Sequence, residues 1–293
     1  MRILNFGSLN IDYVYRVDAF LKPGETKPAQ SRAVFAGGKG LNQSLAMAKA
    51  GLPVFHAGKI GPEGDFLVQT LKQGRVDTSL LGRSEQPSGH TIIQVDDQGR
   101  NCILLFGGAN RDMDEPYINQ VLDSFGPGDY LVMQNEISLV PTIIRKAKER
   151  GLFIIMNPSP YTQEIQTYPL EAIDIFILNE IEAEGFTELS EPHKSLAALC
   201  DRFPHAQFVL TLGEKGSLWG QGKEVISQHA YPAKVVDTTA AGDTFSGYFI
   251  AGLVEGLPVP RALDLASRAA SLCVSRPGAA DSIPWRNELL ANS

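Results

Sequence analysis

The feature that most constrains this chain is an alternation. Short apolar runs rich in β-branched residues lie at 130–134, 153–157, 173–178 and 208–212, and stretches with helical spacing, such as 139–150 and 193–203, separate most of them. Strands that alternate with helices predict βαβ units and a mostly parallel sheet covered on both faces. The same grammar opens the chain. A strand at 2–6 is closed by Gly7, and Leu41, Leu45, Ala48 and Leu52 repeat at three and four residues as a helix that Gly51 ends. A strand beginning at 54–57 and a helix at 63–73 follow. The last quarter differs, with two long helical patterns, 242–255 and 259–273, in direct succession.

Two β groups break the alternation, near 13–36 and 90–106, the second folded about an Asp97-Gln98-Gly99 turn. They are expected to pair as a small separate sheet. At about 150 residues per domain a chain of this length suggests two domains. The pattern instead predicts one α/β domain over residues 1–293 with a minor β lid.

Composition excludes several function classes. With 26 basic and 33 acidic residues the net charge is −7, and no basic run offers a nucleic-acid backbone a landing site. The three cysteines are far apart and show no CxxC spacing, and the five histidines form no HExxH pattern. A disulfide framework and a His/Cys metal site are therefore not expected. No run of about 18 apolar residues is present, and the N-terminus lacks a signal-peptide pattern. A soluble cytoplasmic protein, with neither membrane nor nucleic acid as partner, is the expectation.

The strongest chemical signal is Asp237-Thr238-Thr239-Ala240-Ala241-Gly242-Asp243-Thr244-Phe245, placed after an apolar Val235-Val236 pair read as a strand end. Small residues with a glycine at a helix start leave backbone N–H groups uncovered, where the helix dipole adds positive potential and attracts phosphate. Asp243 in that first turn could take a proton from an attacking hydroxyl. An isolated Gly-Asp-Thr would read as a helix cap; the run of small residues flanked by a second Asp shifts the balance to a site. Gly37-Gly38-Lys39-Gly40 also opens a helix, but it is not a Walker A loop, and no GxGxxG supports a dinucleotide fold. It marks the passage from lid to body, a place for a hinge and for close approach of a ligand. Asn179 and Glu182, just past a strand, could hold a hydrated Mg²⁺, although alone they read as a capped helix start. Thr211-Leu212-Gly213-Glu214-Lys215-Gly216 reads equally well as a strand-to-hairpin turn.

In this order the segments resemble the ribokinase-like (PfkB) family of sugar kinases over essentially the whole chain. The specific motifs are Gly37-Gly38-Lys39-Gly40-Leu41-Asn42-Gln43 and the 237–245 run, with Asn179-Glu180-Ile181-Glu182 between them. The resemblance is closest to the ribokinase branch, and it implies a three-layer αβα sandwich with a mostly parallel central sheet and a small β-sheet lid. It implies an ATP-dependent kinase acting on the primary hydroxyl of a pentose, D-ribose in first place.

By the same resemblance Asp243 is the base, and the Ala240-Ala241-Gly242 backbone is the anion hole for the transferred phosphoryl group. Asn10, Asp12, Gly38, Asn42 and Glu136 bind the sugar. Asn179 and Glu182 orient Mg²⁺ and the ATP phosphates, Glu182 indirectly, while Thr211, Gly213 and Ser267 line the nucleotide side. Asp237, Thr239, Cys273, Arg276, Gly278 and Ser282 surround a monovalent cation, K⁺ in first place, mainly through backbone oxygens. A homodimer through the lid sheets is implied as well. Other substrates open to the family are a nucleoside, fructose or a ketodeoxy-sugar. A non-catalytic sugar-binding protein on the same scaffold would be expected to lack the base or the anion hole.

Overall fold

A computed structural model describes residues 1–290. The strands are β1 (Ile3–Phe6), β2 (Asn10–Arg16), β3 (Ser31–Gly37), β4 (Val54–Ile60), β5 (Leu81–Arg83), β6 (Gly89–Val95), β7 (Asn101–Phe106), β8 (Tyr130–Gln134), β9 (Phe153–Asn157), β10 (Ile175–Asn179), β11 (Gln207–Thr211), β12 (Ser217–Gln221) and β13 (Glu224–Gln228). The helices are α1 (Lys39–Lys49), α2 (Asp65–Gln73), α3 (Glu115–Leu122), α4 (Val140–Glu149), α5 (Glu180–Thr187), α6 (Pro192–Arg202), α7 (Ala241–Val254), α8 (Val259–Val274) and α9 (Arg286–Leu290).

Nine strands form the central sheet in the order β13-β12-β11-β10-β9-β8-β1-β4-β5. Pairing is parallel from β5 to β11 and antiparallel only at the β11-β12-β13 edge. Because successive strand residues point to opposite faces, each buried strand feeds two cores. Val132, Ile155, Ile177 and Val209 pack on one side with α1, α7 and α8. Leu131, Met156, Phe176 and Leu210 pack on the other with α3, α4 and α6. The result is the three-layer αβα sandwich that the alternation predicts. Between β1 and β8 the winding reverses, and in such sheets the crevice beyond the strands' carboxyl ends at that point is the usual ligand site.

The two irregular β groups form one four-stranded sheet, β3-β2-β6-β7. Asn10 at its base pairs with Gly37 and with Gly89. Along the register Asp12 shares a row with Phe35, Thr91 and Leu105, whereas Tyr13 shares the next row, on the opposite face, with Val34, Ile92 and Leu104.

One detail differs from the sequence reading. Val235 and Val236 are not a strand; they are 63% and 54% exposed in an irregular stretch. The β12–β13 hairpin already closes that edge of the sheet, so the chain must run back over the surface to reach α7. There Val236 N–H donates to the Val274 carbonyl at 2.8 Å. The 211–216 turn is a hairpin connection between β11 and β12, built on a short 3₁₀ turn at Gly213–Lys215.

The helices α1 and α7 touch backbone to backbone at Gly247. A Cβ there would stand 2.4 Å from the Ala46 Cβ and 2.8 Å from the Met47 nitrogen, so no other residue fits without separating the helices. Among the described residues no helix is long and apolar enough to cross a membrane.

Candidate active site

A cleft of about 210 Å³ opens beyond the carboxyl ends of the central strands. It is lined by Thr238, Ala240, Ala241, Gly242, Asp243 and Ser246 at the start of α7, by Lys39 from α1, and by Asn157, Asn179, Glu182 and Thr211. No side chain caps α7, and its N-cap residue Ala240 sits at φ +61°, in the left-handed region that a non-glycine residue seldom adopts. The Ala241 N–H turns back to the Thr238 carbonyl, while those of Gly242 and Asp243 have no backbone partner. Uncovered amides at the positive end of a long helix make an anion site.

Asp243 is not the cap of its helix. Its carboxylate is buried, with Oδ2 accepting from Asn42 Nδ2 at 3.1 Å and Oδ1 from Gln43 Nε2 at 3.0 Å. Lys39 adds the positive charge of the cleft. Burial alone would lower its pKa, but Asp243, Glu136 and Glu182 outweigh that and hold it above the usual lysine value. The ammonium is therefore charged throughout the physiological range.

On the other side of Asp243 a polar group collects at the junction of the two sheets. Glu136 accepts from the Lys39 N–H at 3.0 Å and from the Ser8 hydroxyl; burial raises its pKa, partly offset by Lys39. Asn10 Oδ1 accepts from Asn110 Nδ2 at 2.8 Å. Asp12 accepts from the Thr91 hydroxyl at 2.6 Å, and burial pushes its pKa up to about 6 despite that bond, the charge of Glu136 adding to the effect. Glycines make this crowding possible. A Cβ on Gly37 would lie 1.9 Å from Asp12 Oδ2, and Gly38, at φ +93°, brings bare backbone against Asn10 and Ser8. Asn42 Oδ1 is buried without a partner, a state that costs about 1–3 kcal/mol and that a hydroxyl donor would relieve.

The nucleotide-side residues divide. Asn179 and Glu182 form a capping box on α5: Glu182 accepts from the Asn179 N–H and Nδ2, both at 2.9 Å, and its own N–H donates to Asn179 Oδ1. Each Glu182 oxygen keeps a lone pair, and among the described residues no group of three His, Cys, Asp or Glu is placed to cage a metal. This donor set fits a hydrated ion held through its waters. Thr211 lines the cleft, and Gly213 lies two residues beyond it at φ +57°. Ser267 does not border the cleft. It is buried on α8, where its neighbour Arg268 lines a second cavity of about 360 Å³ with Tyr231 and Ser271.

The six residues assigned to a monovalent cation come from two loops that meet. Asp237 accepts from the Thr239 hydroxyl at 2.6 Å, the Thr239 N–H at 2.9 Å and the Gly278 N–H at 3.0 Å; these bonds outweigh burial and lower its pKa. Cys273 Sγ lies 3.1 Å from the Ser282 hydroxyl and 3.8 Å from the Thr239 carbonyl. The Arg276 side chain turns away to Glu288 at 2.6 Å, leaving only its backbone for the loop. One carboxylate among carbonyl oxygens is a hard, weakly charged donor set of the kind a monovalent cation needs.

Lys39, Gln43 and Asn157 belong to the site although the sequence reading gave them no role. Lys39 and Gln43 stand inside the glycine motif, but nothing local shows what they touch. Asn157 closes an apolar strand and carries no signal of its own.

A parallel sheet with a cleft beyond the carboxyl ends of its strands, an uncapped helix start and a buried carboxylate beside a lysine is the architecture of a small-molecule phosphotransferase. The profile of the pfkB family carbohydrate kinase matches residues 2–286, and this chain belongs to that family. The relatives are themselves specific. A ribokinase of Staphylococcus aureus is 32% identical, with 98% of each chain covered. The structure of Arabidopsis thaliana ribokinase complexed with ribose and ATP superposes with a TM-score of 0.87 at 30% identity, covering 99% of this chain and 97% of that one. Ribokinase from Cryptococcus neoformans in complex with ADP gives 0.88 at 32% identity, covering 100% and 99%.

Proposed function

We propose that this kinase transfers the γ-phosphoryl group of ATP to the primary hydroxyl of D-ribose, giving ribose 5-phosphate and ADP, with Asp243 as the base. The observation that carries the reading is the position of Asp243. It sits at the uncapped start of α7, between the cleft and the polar cluster at the sheet junction, with each carboxylate oxygen already oriented by an amide.

In that arrangement Asn10, Asp12, Asn42 and Glu136, with the bare backbone at Gly38, bind the ring hydroxyls, and the unpartnered Asn42 Oδ1 accepts from one of them. Asp243 takes the proton of the primary hydroxyl as its oxygen attacks the γ-phosphorus. The bond to the β–γ bridging oxygen breaks and ADP leaves. The uncovered Gly242 N–H of the 240–242 backbone and the Lys39 ammonium stabilise the charge spread over the phosphoryl oxygens. Asn179 and Glu182 hold the waters of a Mg²⁺ ion, which when bound would neutralise phosphate charge. Asp237 and carbonyls of the two adjoining segments would hold K⁺, which when bound would supply fixed positive charge beside the anion hole.

The four-stranded sheet acts as a lid that excludes water. Its Tyr13 row leaves Val34, Ile92 and Leu104 exposed, and a second copy of the chain is the proposed cover for that face.

The test is Asp243→Asn assayed with D-ribose and ATP. The general-base share of the reaction is about 10²- to 10⁴-fold, and kcat should fall by that much with nucleotide binding intact. Undiminished turnover would remove Asp243 from the role. A higher kcat/KM for a nucleoside or for fructose than for ribose would move the substrate assignment.

A further inference from the structure

Behind Asp243 a chain of polar side chains runs through the interior between α1 and the central sheet, touching neither cleft nor solvent. Gln43 Nε2 donates to Asp243 Oδ1 at 3.0 Å, and Gln134 Nε2 donates to Gln43 Oε1 at 2.7 Å and to Asn5 Oδ1 at 3.1 Å. Asn5 Nδ2 in turn donates to the Gly40 carbonyl and to Ser44 Oγ, both at 2.7 Å, and Ser44 meets His56 Nδ1 at 2.7 Å. All five of these side chains are no more than 1% exposed, and burial pushes the His56 pKa down to about 4, so the chain ends on a neutral ring.

An apolar core would be the more stable filling for this space, because half-satisfied buried polar groups cost more than they return. Gln134 Oε1 is in fact left without a partner. A network kept at that cost is explained by what it does at its far end. The sense of every bond is forced from there. A carboxylate only accepts, so Gln43 must present its nitrogen to Asp243 and its oxygen inward. The inward oxygen needs a donor, and Gln134 supplies one. Were Gln134 unable to donate, Gln43 Oε1 would be buried without a partner and the amide would lose the bond that holds its plane.

We infer that Gln43, held in one orientation by Gln134, is a positioning residue for Asp243: its amide donor fixes the rotation of the carboxylate. This rests on the reading of Asp243 as the base. The titratable groups that act on Asp243 across the packed elements are Lys39 and Glu136, with Cys273 from α8, and none of them makes the bond that Gln43 makes.

The experiment compares Asp243→Asn with Gln43→Met, Gln43→Glu, Gln134→Met and the Gln43→Met/Gln134→Met double variant, each checked for folding by circular dichroism. Losing one hydrogen bond to a charged group should lower kcat about 10- to 100-fold in Gln43→Met, with the sugar and nucleotide KM within about threefold of the wild type. Gln134→Met should lower kcat by a smaller factor. The double variant should be no worse than Gln43→Met, because Gln134 acts only through Gln43. Gln43→Glu sets two carboxyl groups against each other, and the acid limb of the kcat/KM profile should rise by at least one pH unit. A merely structural role would leave kcat of Gln43→Met and Gln134→Met within threefold of the wild type.

If Asp243→Asn is inactive while the Gln43 and Gln134 variants keep kcat within threefold and the acid limb stays in place, the positioning role is overturned and the base reading stands. If Asp243→Asn retains full activity, the base reading falls and the positioning role with it. Should Gln43→Met not fold, Gln43→Glu and Gln134→Met decide on the same terms.

Discussion

Asp12 is a place where the fold gives up stability for an ionised group, and the amount can be worked out. Burial raises its pKa from 3.8 to about 6, with the Thr91 hydroxyl opposing and Glu136 adding to the rise. A pKa higher in the folded chain than in the unfolded one means that ionisation favours unfolding. The penalty is absent below the unfolded value, grows as pH rises from about 3.8 to 6, and is complete above 6. Two units at 1.36 kcal/mol each set it at about 3 kcal/mol. Asp12→Asn preserves the shape and leaves an oxygen for the 2.6 Å bond from Thr91 while removing the charge. Relative to the wild type, the variant should therefore gain about 2 kcal/mol between pH 4.5 and pH 8. Equilibrium urea unfolding at the two pH values measures this, and the same variant should raise the sugar KM at least tenfold. A stability difference that is equal at both pH values, or an Asn variant less stable at pH 8, would refute the reasoning.

Other perturbations address the rest of the site. Lys39→Met should lower kcat about 10²- to 10³-fold, the scale of losing one stabiliser of transition-state charge; steady-state kinetics at saturating ribose and ATP checks it. Replacing K⁺ by Li⁺ should lower kcat in the wild type, and Asp237→Asn should abolish the response, as an ion titration of activity would show. Leu104→Asp, which puts a charge on a residue 67% exposed on the open face of the small sheet, should shift the mass measured by light scattering from dimer to monomer.

What the sequence reveals and what it conceals follow from the range of the interactions. The sandwich is legible because Val132, Ile155 and Val209 alternate with residues of the opposite core, and a parallel sheet buried on both faces writes that pattern as unbroken apolar runs. The small sheet is legible as an interruption of the same pattern. Val235 and Val236 mislead because β-branched residues have strand propensity wherever they stand, while the free sheet edge that would use them is already taken. At the site, Asp243 is visible from its local run of small residues. Gln43 and Gln134 are not, since they lie 91 positions apart and a lone glutamine on a helix ordinarily reads as surface. Ser267, a position given by resemblance alone, is buried on α8 and is not among the residues that line the cleft.

The contact at Gly247 has a consequence for how the catalytic distances are kept. It lies about one helical turn from Asp243 along α7, and Ala46 and Met47 lie about a turn from Asn42 and Gln43 along α1. The two helices are thus stapled roughly 5–6 Å beneath the bonds that aim the carboxylate, and the gauge of that staple is hydrogen against backbone. Those bonds, at 3.0 and 3.1 Å, have only a few tenths of an ångström to spare before they weaken. The placement of the Asp243 carboxylate is therefore calibrated by a methyl group that is missing from between two helices.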